Sequence, residues 1–140
     1  RGVVLPSLVS DELPQVVVAN DTSGSISDRQ MQEFAGAISD ILGSFDTTAT
    51  VLHCDTAVRK VEELTRADLP LRLEPIGGGG TDFRPVFDHV DEHGLEPACL
   101  IYLTDLHGRF PERPPDYPVL WVVNRDSCAG PPPFGEVIRY

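Results

Sequence analysis

The run Val16-Val17-Val18-Ala19 constrains this chain more than any other segment. Four apolar, mostly β-branched residues in succession offer no polar face to water, which is the pattern of a strand covered on both sides, as in a parallel sheet. Parallel neighbours need crossover connections, and the residues that follow provide one. After the polar stretch Asn20 to Ser27, apolar side chains recur at Met31, Phe34, Ala35, Ile38, Ile41 and Leu42, the spacing of a helix with one buried stripe. Ser27 with Gln30 three residues later reads as a capping box, and Gly43 as the helix stop.

The alternation continues along the chain. Thr50 to His53 forms a second strand, and Val58 to Leu64, with apolar and charged residues alternating, a third that is half exposed. Asp55-Thr56 is too short a link for a crossover, so these two strands pair as an antiparallel hairpin. Gly77 to Gly80 is a loop free to fold tightly against its surroundings, and it leads through Thr81 and Asp82 into a short helix from about Pro85 to His93, with Gly94 just past its end. Ala98 to Leu103 and Val119 to Val123 are two more buried strands, separated by the proline-rich loop Leu106 to Pro118, and Gly135 to Tyr140 offers a last one. Trp121 belongs to the core. Strands alternating with helices predict an α/β sheet with right-handed crossovers, and ligands of such sheets bind beyond the carboxyl ends of the strands, where the strand order reverses.

Bulk properties narrow the function classes. A length of 140 residues predicts a single domain over residues 1–140, and the start at Arg1-Gly2 reads as a cut within a longer protein. A formal net charge of −11 repels phosphate backbones and anionic lipid, which argues against nucleic acid and membrane as partners. No apolar stretch is long enough to cross a bilayer and the first residues lack a signal peptide's regions, so a cytoplasmic protein is expected. The three cysteines, Cys54, Cys99 and Cys128, are odd in number and show no CxxC spacing, which fits reduced thiols rather than a disulfide framework or a zinc site.

The residues beyond the strand ends carry the chemistry. Asp21, Ser23 and Ser25 are spaced by two after the first core strand, so in an extended loop their side chains would point to one side. Asp105 follows the strand Ala98 to Leu103 in the same manner; if the two strands are neighbours, the two carboxylates lie within one or two strand spacings of ~4.8 Å. Two such anions repel unless a proton or a cation lies between them. Carboxylate, hydroxyl and water oxygens are the ligands that Mg²⁺ selects, about six in number, and Thr81, delivered by the glycine loop, adds one more hydroxyl.

Asp21-Thr22-Ser23-Gly24-Ser25 resembles the DxSxS signature of the metal ion-dependent adhesion site in von Willebrand factor A domains. The matching later threonine is Thr81 in Gly79-Gly80-Thr81-Asp82, and the matching later aspartate is Asp105 in Leu103-Thr104-Asp105. More narrowly, the run from Gly77 to Pro85 is similar to a bacterial VWA-like domain that forms the C-terminal part of proteins classed as metallopeptidases. The resemblance spans Val16 to Tyr140 and implies a three-layer, Rossmann-like fold with a mostly parallel sheet, one antiparallel edge strand and helices on both faces. It further implies that Ser23 and Ser25 bind Mg²⁺ (or Mn²⁺ or Ca²⁺) directly, that Thr81 does so directly or through water, and that Asp21 and Asp105 act mostly through water. A coordination position is then left for an Asp or Glu of a partner, an AAA-type ATPase or the N-terminal peptidase domain of the same chain. Asn20 departs from the family pattern, which has an apolar residue before the first aspartate. His53, His89, His93 and His107 show no HExxH spacing, so no proteolytic activity is expected of this chain.

Other roles stand beside these. A phosphatase-like hydrolase with Asp21 as nucleophile beside Mg²⁺ is the enzyme alternative, although it needs an acid where Ser23 stands. Asp82 has equal claim to being a helix cap, Asp55 reads as a turn residue outside the site, and His107 and Arg109 are exposed loop residues that could contact a partner's acidic group.

Overall fold

The structure is a computed structural model that describes residues 15–24, 26–44, 48–68, 79–125 and 127–139, with the side chains of Ile41 and Arg66 left aside. The apolar run becomes β1 (Gln15–Asp21), followed by α1 (Asp28–Ser44), β2 (Thr48–Cys54), β3 (Val58–Leu64), α2 (Arg84–Glu92), β4 (Cys99–Thr104), β5 (Val119–Val123) and β6 (Glu136–Arg139). The six strands form one sheet in the order β3-β2-β1-β4-β5-β6. All pairs are parallel except β2 with β3, the hairpin at one edge, as expected from the short link between them.

The alternation of side chains along each strand divides the core into two layers. Val16 and Val18 point to the face covered by α1, where Met31, Phe34, Ile38 and Leu42 form the buried stripe. Val17 and Ala19 point to the opposite face with Leu100, Tyr102, Trp121 and the α2 residues Val86, Phe87 and Val90. Each fully buried aliphatic or aromatic side chain of this kind contributes about 1.5–3 kcal/mol. β1 has both faces covered, which is why its sequence shows no polar alternation. The result is the three-layer α/β architecture, helix, sheet, helix, anticipated from the sequence.

Local chemistry sets the element ends. The Ser27 N–H donates to Gln30 Oε1 at 2.8 Å and the Gln30 N–H to Ser27 Oγ at 3.2 Å, a reciprocal capping box. α1 runs through Gly43 to Ser44, one residue past the expected stop. α2 ends in a Schellman motif, with Leu95 N–H bonded to Val90 O and Gly94 N–H to Asp91 O, and Gly94 takes φ 61°. Its N-cap is Phe83, which makes no side-chain capping bond, while Asp82 Oδ1 accepts the Arg84 N–H at 3.0 Å from one residue earlier. β6 enters through Gly135 at φ 81°, where a Cβ would lie 2.8 Å from both Trp121 Nε1 and Val119 O.

β1 pairs with β2 on one side and β4 on the other, and α1 and α2 lie on opposite faces. The strand order therefore reverses between β1 and β4, the position beyond whose carboxyl ends ligands of such sheets bind.

Candidate functional site

Two aspartates stand at that switch point. Asp21 is the last residue of β1 rather than a loop residue, and its side chain is fully buried. Its Oδ1 accepts the Ser23 N–H at 2.9 Å and its Oδ2 the Thr104 hydroxyl at 2.6 Å, and the Ser23 hydroxyl adds a further bond. Burial raises the Asp21 pKa above its ordinary value; the bonds from Thr104 and Ser23 oppose that rise, and the charge of Asp105 adds to it.

The loop after β1 is not extended. The Ser23 carbonyl accepts the Ile26 N–H at 3.0 Å, so the chain turns back at Ser23, and proximity of Ser23 to Asp21 comes from an Asx-type turn instead of from alternation. Ser25, the third residue of the DxSxS pattern, lies outside the described residues.

Asp105 follows β4 and is 6% exposed. Its Oδ1 accepts the His107 N–H at 3.0 Å and its carbonyl the Ser127 hydroxyl at 2.5 Å. The next residue, Leu106, is buried and takes φ 68°, a left-handed conformation that costs a branched side chain about 1–3 kcal/mol. Its N–H is accepted by Thr104 Oγ1 at 3.1 Å, so the hydroxyl that donates to Asp21 also fixes the turn beyond Asp105.

The glycine loop is pinned against both. The Gly24 N–H donates to Gly79 O at 3.0 Å, the Asp82 N–H to Asp55 O at 3.0 Å and the Phe83 N–H to Arg109 O at 2.9 Å. Half-buried Thr81 lies between these anchors, with its methyl against Gly108, where a Cβ would come within 2.8 Å. Phe83 is fully buried, 5.0 Å from the Tyr102 ring and 4.8 Å from that of Phe110.

At the rim, Arg84 holds Asp82 through a fork at 2.7 and 2.9 Å, and this guanidinium keeps the carboxyl below the ordinary range despite its partial burial. His107 and Arg109 are both exposed. Behind the site, Asn20 meets another polar side chain: its amide nitrogen lies 3.1 Å from His53 Nδ1, while its Oδ1 is buried without a hydrogen-bond partner among the described residues.

Sequence reasoning missed Thr104 and Leu106, which sit in a strand end and a turn with no signal of their own; Asp55 is the turn residue expected of it, its Oδ1 accepting the Thr56 and Ala57 N–H groups. Of the expected donors, Asp21 ends β1, while Ser23, Thr81 and Asp105 lie in the loops after β1, before α2 and after β4.

The donor chemistry fits a hard cation. Among the described residues no three His, Cys, Asp or Glu are grouped to hold a metal, so any cation here depends on hydroxyls together with the two carboxylates.

The family described as VWA-like domain (DUF2201) matches residues 16–140 of the sequence. The chain belongs to that family. The VWA-like domain is also similar to an uncharacterized protein of Thermotoga maritima, 28% identical over 107 residues, which are 76% of this chain and 26% of that protein. The chain thus spans about a quarter of the length of that relative. Among the described residues no helix of the domain is long and apolar enough to cross a membrane.

Proposed function

We propose that this VWA-like domain is a divalent-cation-dependent interaction module that grips an Asp or Glu side chain of a protein partner, in the manner of a metal ion-dependent adhesion site. The observation that supports this reading is that Asp21 and Asp105 end or follow the neighbouring strands β1 and β4, while Gly79, two residues before Thr81, is bonded to Gly24, next to Ser23. Asp21, Ser23, Ser25, Thr81 and Asp105 would hold Mg²⁺, Mn²⁺ or Ca²⁺, and the ion supplies an electrophilic position for a carboxylate. Only two of the five are anions, enough to balance the ion and no more, and with both acting through water the ion keeps an affinity for one further carboxylate within a chain of net charge −11. The exposed Arg109 on the adjoining loop adds attraction for an acidic partner. An AAA-type ATPase or an N-terminal peptidase domain of the same chain is the partner we propose, in the cytoplasm, with the domain itself a binding module and no enzyme.

A hydrolase using Asp21 as nucleophile finds no support. The side chain is fully buried with both oxygens engaged, and residue 23 is not an acid.

The test is a titration of the Mg²⁺-saturated chain, followed by NMR, with a short peptide bearing one Glu and with its Gln counterpart. Amide shifts around Ser23, Thr81 and Asp105 are expected for the Glu peptide alone and are expected to vanish in chelator. An equal response in chelator contradicts the reading.

A further inference from the structure

We propose that Asp55, which supplies nothing to the cation, is the positioning residue for the loop that carries Thr81, acting as an anionic latch between the β2–β3 hairpin and Gly79–Asp82. The inference rests on the adhesion-site reading for its functional consequence and on hydrogen bonding for the latch itself.

The side chain of Asp55 is 2% exposed and all its acceptor capacity is directed at donors. Oδ1 accepts the Thr56 N–H at 2.6 Å, the Ala57 N–H at 3.2 Å and Arg59 Nε at 2.8 Å, while Oδ2 accepts the Gly79 N–H at 3.3 Å. One oxygen thus holds the hairpin and the other reaches 24 residues along the chain. The backbone of Asp55 completes the latch, because its carbonyl accepts the Asp82 N–H at 3.0 Å. Side chain and carbonyl of a single residue therefore grip the segment Gly79–Asp82 at both ends, with Thr81 between them. From the other side Gly79 O accepts the Gly24 N–H, so the same segment is tied to the turn that bears Ser23.

Only a carboxylate can do this. Every group facing the Asp55 side chain is a donor, and an ionised carboxyl is acceptor-only, whereas an amide would turn an N–H₂ toward one of them. Burial alone would raise this carboxyl's pKa; the Arg59 guanidinium and the amides of Ala57, Gly79 and Thr56 outweigh it and hold the group ionised below the ordinary range. The close approach also accounts for a glycine at 79, where a Cβ would lie 3.4 Å from Asp55 Oδ2. Four donors already engage the Asp55 carboxylate, three of them on Oδ1, and one of the four belongs to the loop that carries Thr81.

Two measurements on the full chain test the latch. In chelator-treated wild type, the Gly79 and Asp82 amides should exchange with solvent on the order of a hundred-fold more slowly than an unstructured loop, since both are bonded to Asp55. Exchange at the unstructured rate overturns the latch whether or not the chain binds metal. The second measurement is Mn²⁺ affinity in Asp55→Asn, which should fall about ten-fold with the thermal midpoint of the sheet core little changed, the size of effect typical of groups that orient ligands. Gly79→Pro removes the donor from the loop side, leaves the hairpin intact and should give the same loss, so a failure of Asp55→Asn to fold leaves the question decidable. Arg59→Ala, which removes only one of the four donors, should lose less than about three-fold. Native Mn²⁺ affinity in folded Asp55→Asn or in Gly79→Pro overturns the positioning role, and absence of Mn²⁺ binding in wild type overturns the adhesion-site reading while leaving the exchange result to judge the latch.

Discussion

The Thr104 hydroxyl lies 2.6 Å from Asp21 Oδ2 and donates to it, joining the ends of the two parallel strands that lead to Asp21 and Asp105. The same oxygen accepts the Leu106 N–H, so one hydroxyl satisfies a buried carboxylate and a strained turn together. Replacing Thr104 with Val keeps the shape and deletes both bonds. Thr104→Val should therefore destabilise the metal-free chain by about 1–3 kcal/mol, and Thr104→Ser should recover most of the loss. Equal denaturant midpoints for Thr104→Val and wild type would mean that the bond carries no weight.

Asp21 ionises against the fold. Its native pKa is raised above the ordinary aspartate value, first by burial and then by Asp105, despite its hydrogen bonds. A group with a raised native pKa contributes stability that is present in full below the ordinary value and is lost as pH rises through the native one. Asp21→Asn has no charge to bury, and its amide can still accept from Ser23 N–H while donating to Thr104. In chelator at neutral pH this variant should be more stable than wild type, with the difference closing as pH falls into the carboxylate range. Denaturation curves from pH 4 to 8 measure this directly, and a wild type more stable than Asp21→Asn at pH 7 without metal refutes it.

What could be read from the sequence was whatever repeats at short range. The Val16–Ala19 run identified a strand covered on both faces, the Met31 to Leu42 stripe a helix, and Ser27 with Gln30 its cap, because each signal lies within one element. The family motif links Asp21, Ser23, Ser25, Thr81 and Asp105 by resemblance, across several elements, and not by any local signal. The Asp55 to Gly79 and Thr104 to Asp21 bonds span 24 and 83 residues and follow from which strands become neighbours, so no local pattern encodes them. The expected extended loop after Asp21 failed on a local competition: an aspartate side chain that can accept the N–H two residues on turns the chain, and spacing by two then no longer decides direction.

Gly108 controls the room available to Thr81. A Cβ there would fall 2.8 Å from Thr81 Cγ2 and 2.9 Å from Phe83 Cζ, and the Phe83 ring is locked among Tyr102, Phe110 and Trp121. Thr81 is then the group that must move. Gly108→Ala should weaken Mn²⁺ or acidic-peptide binding several-fold with a stability loss of about 1–3 kcal/mol. Unchanged binding in a folded Gly108→Ala variant would remove Thr81 from the site.

The thiols differ in reactivity by position. Cys54 is buried against the Tyr102 hydroxyl at 3.0 Å, and burial with the nearby Asp21 and Asp55 charges pushes its pKa up to about 12, whereas Cys128 is exposed. Cys54 and Cys99 lie on β2 and β4, which flank β1 and meet it at opposite ends, opposite Asp21 and Val16. No bridge between them is possible in this sheet order. Iodoacetamide at pH 8 should modify Cys128 first and Cys54 only after unfolding, and a native Cys54–Cys99 disulfide found by mass spectrometry would overturn the topology.

On the proposed function, Asp21, Ser23, Ser25, Thr81 and Asp105 hold one divalent cation. Titration of the chelator-stripped chain with Mn²⁺, read by electron paramagnetic resonance, measures it most directly. The account predicts one saturable site in wild type, lost in Asp21→Ala and in Asp105→Ala while both variants keep their native circular dichroism. Absence of saturable binding in wild type, or native affinity in either variant, would contradict it.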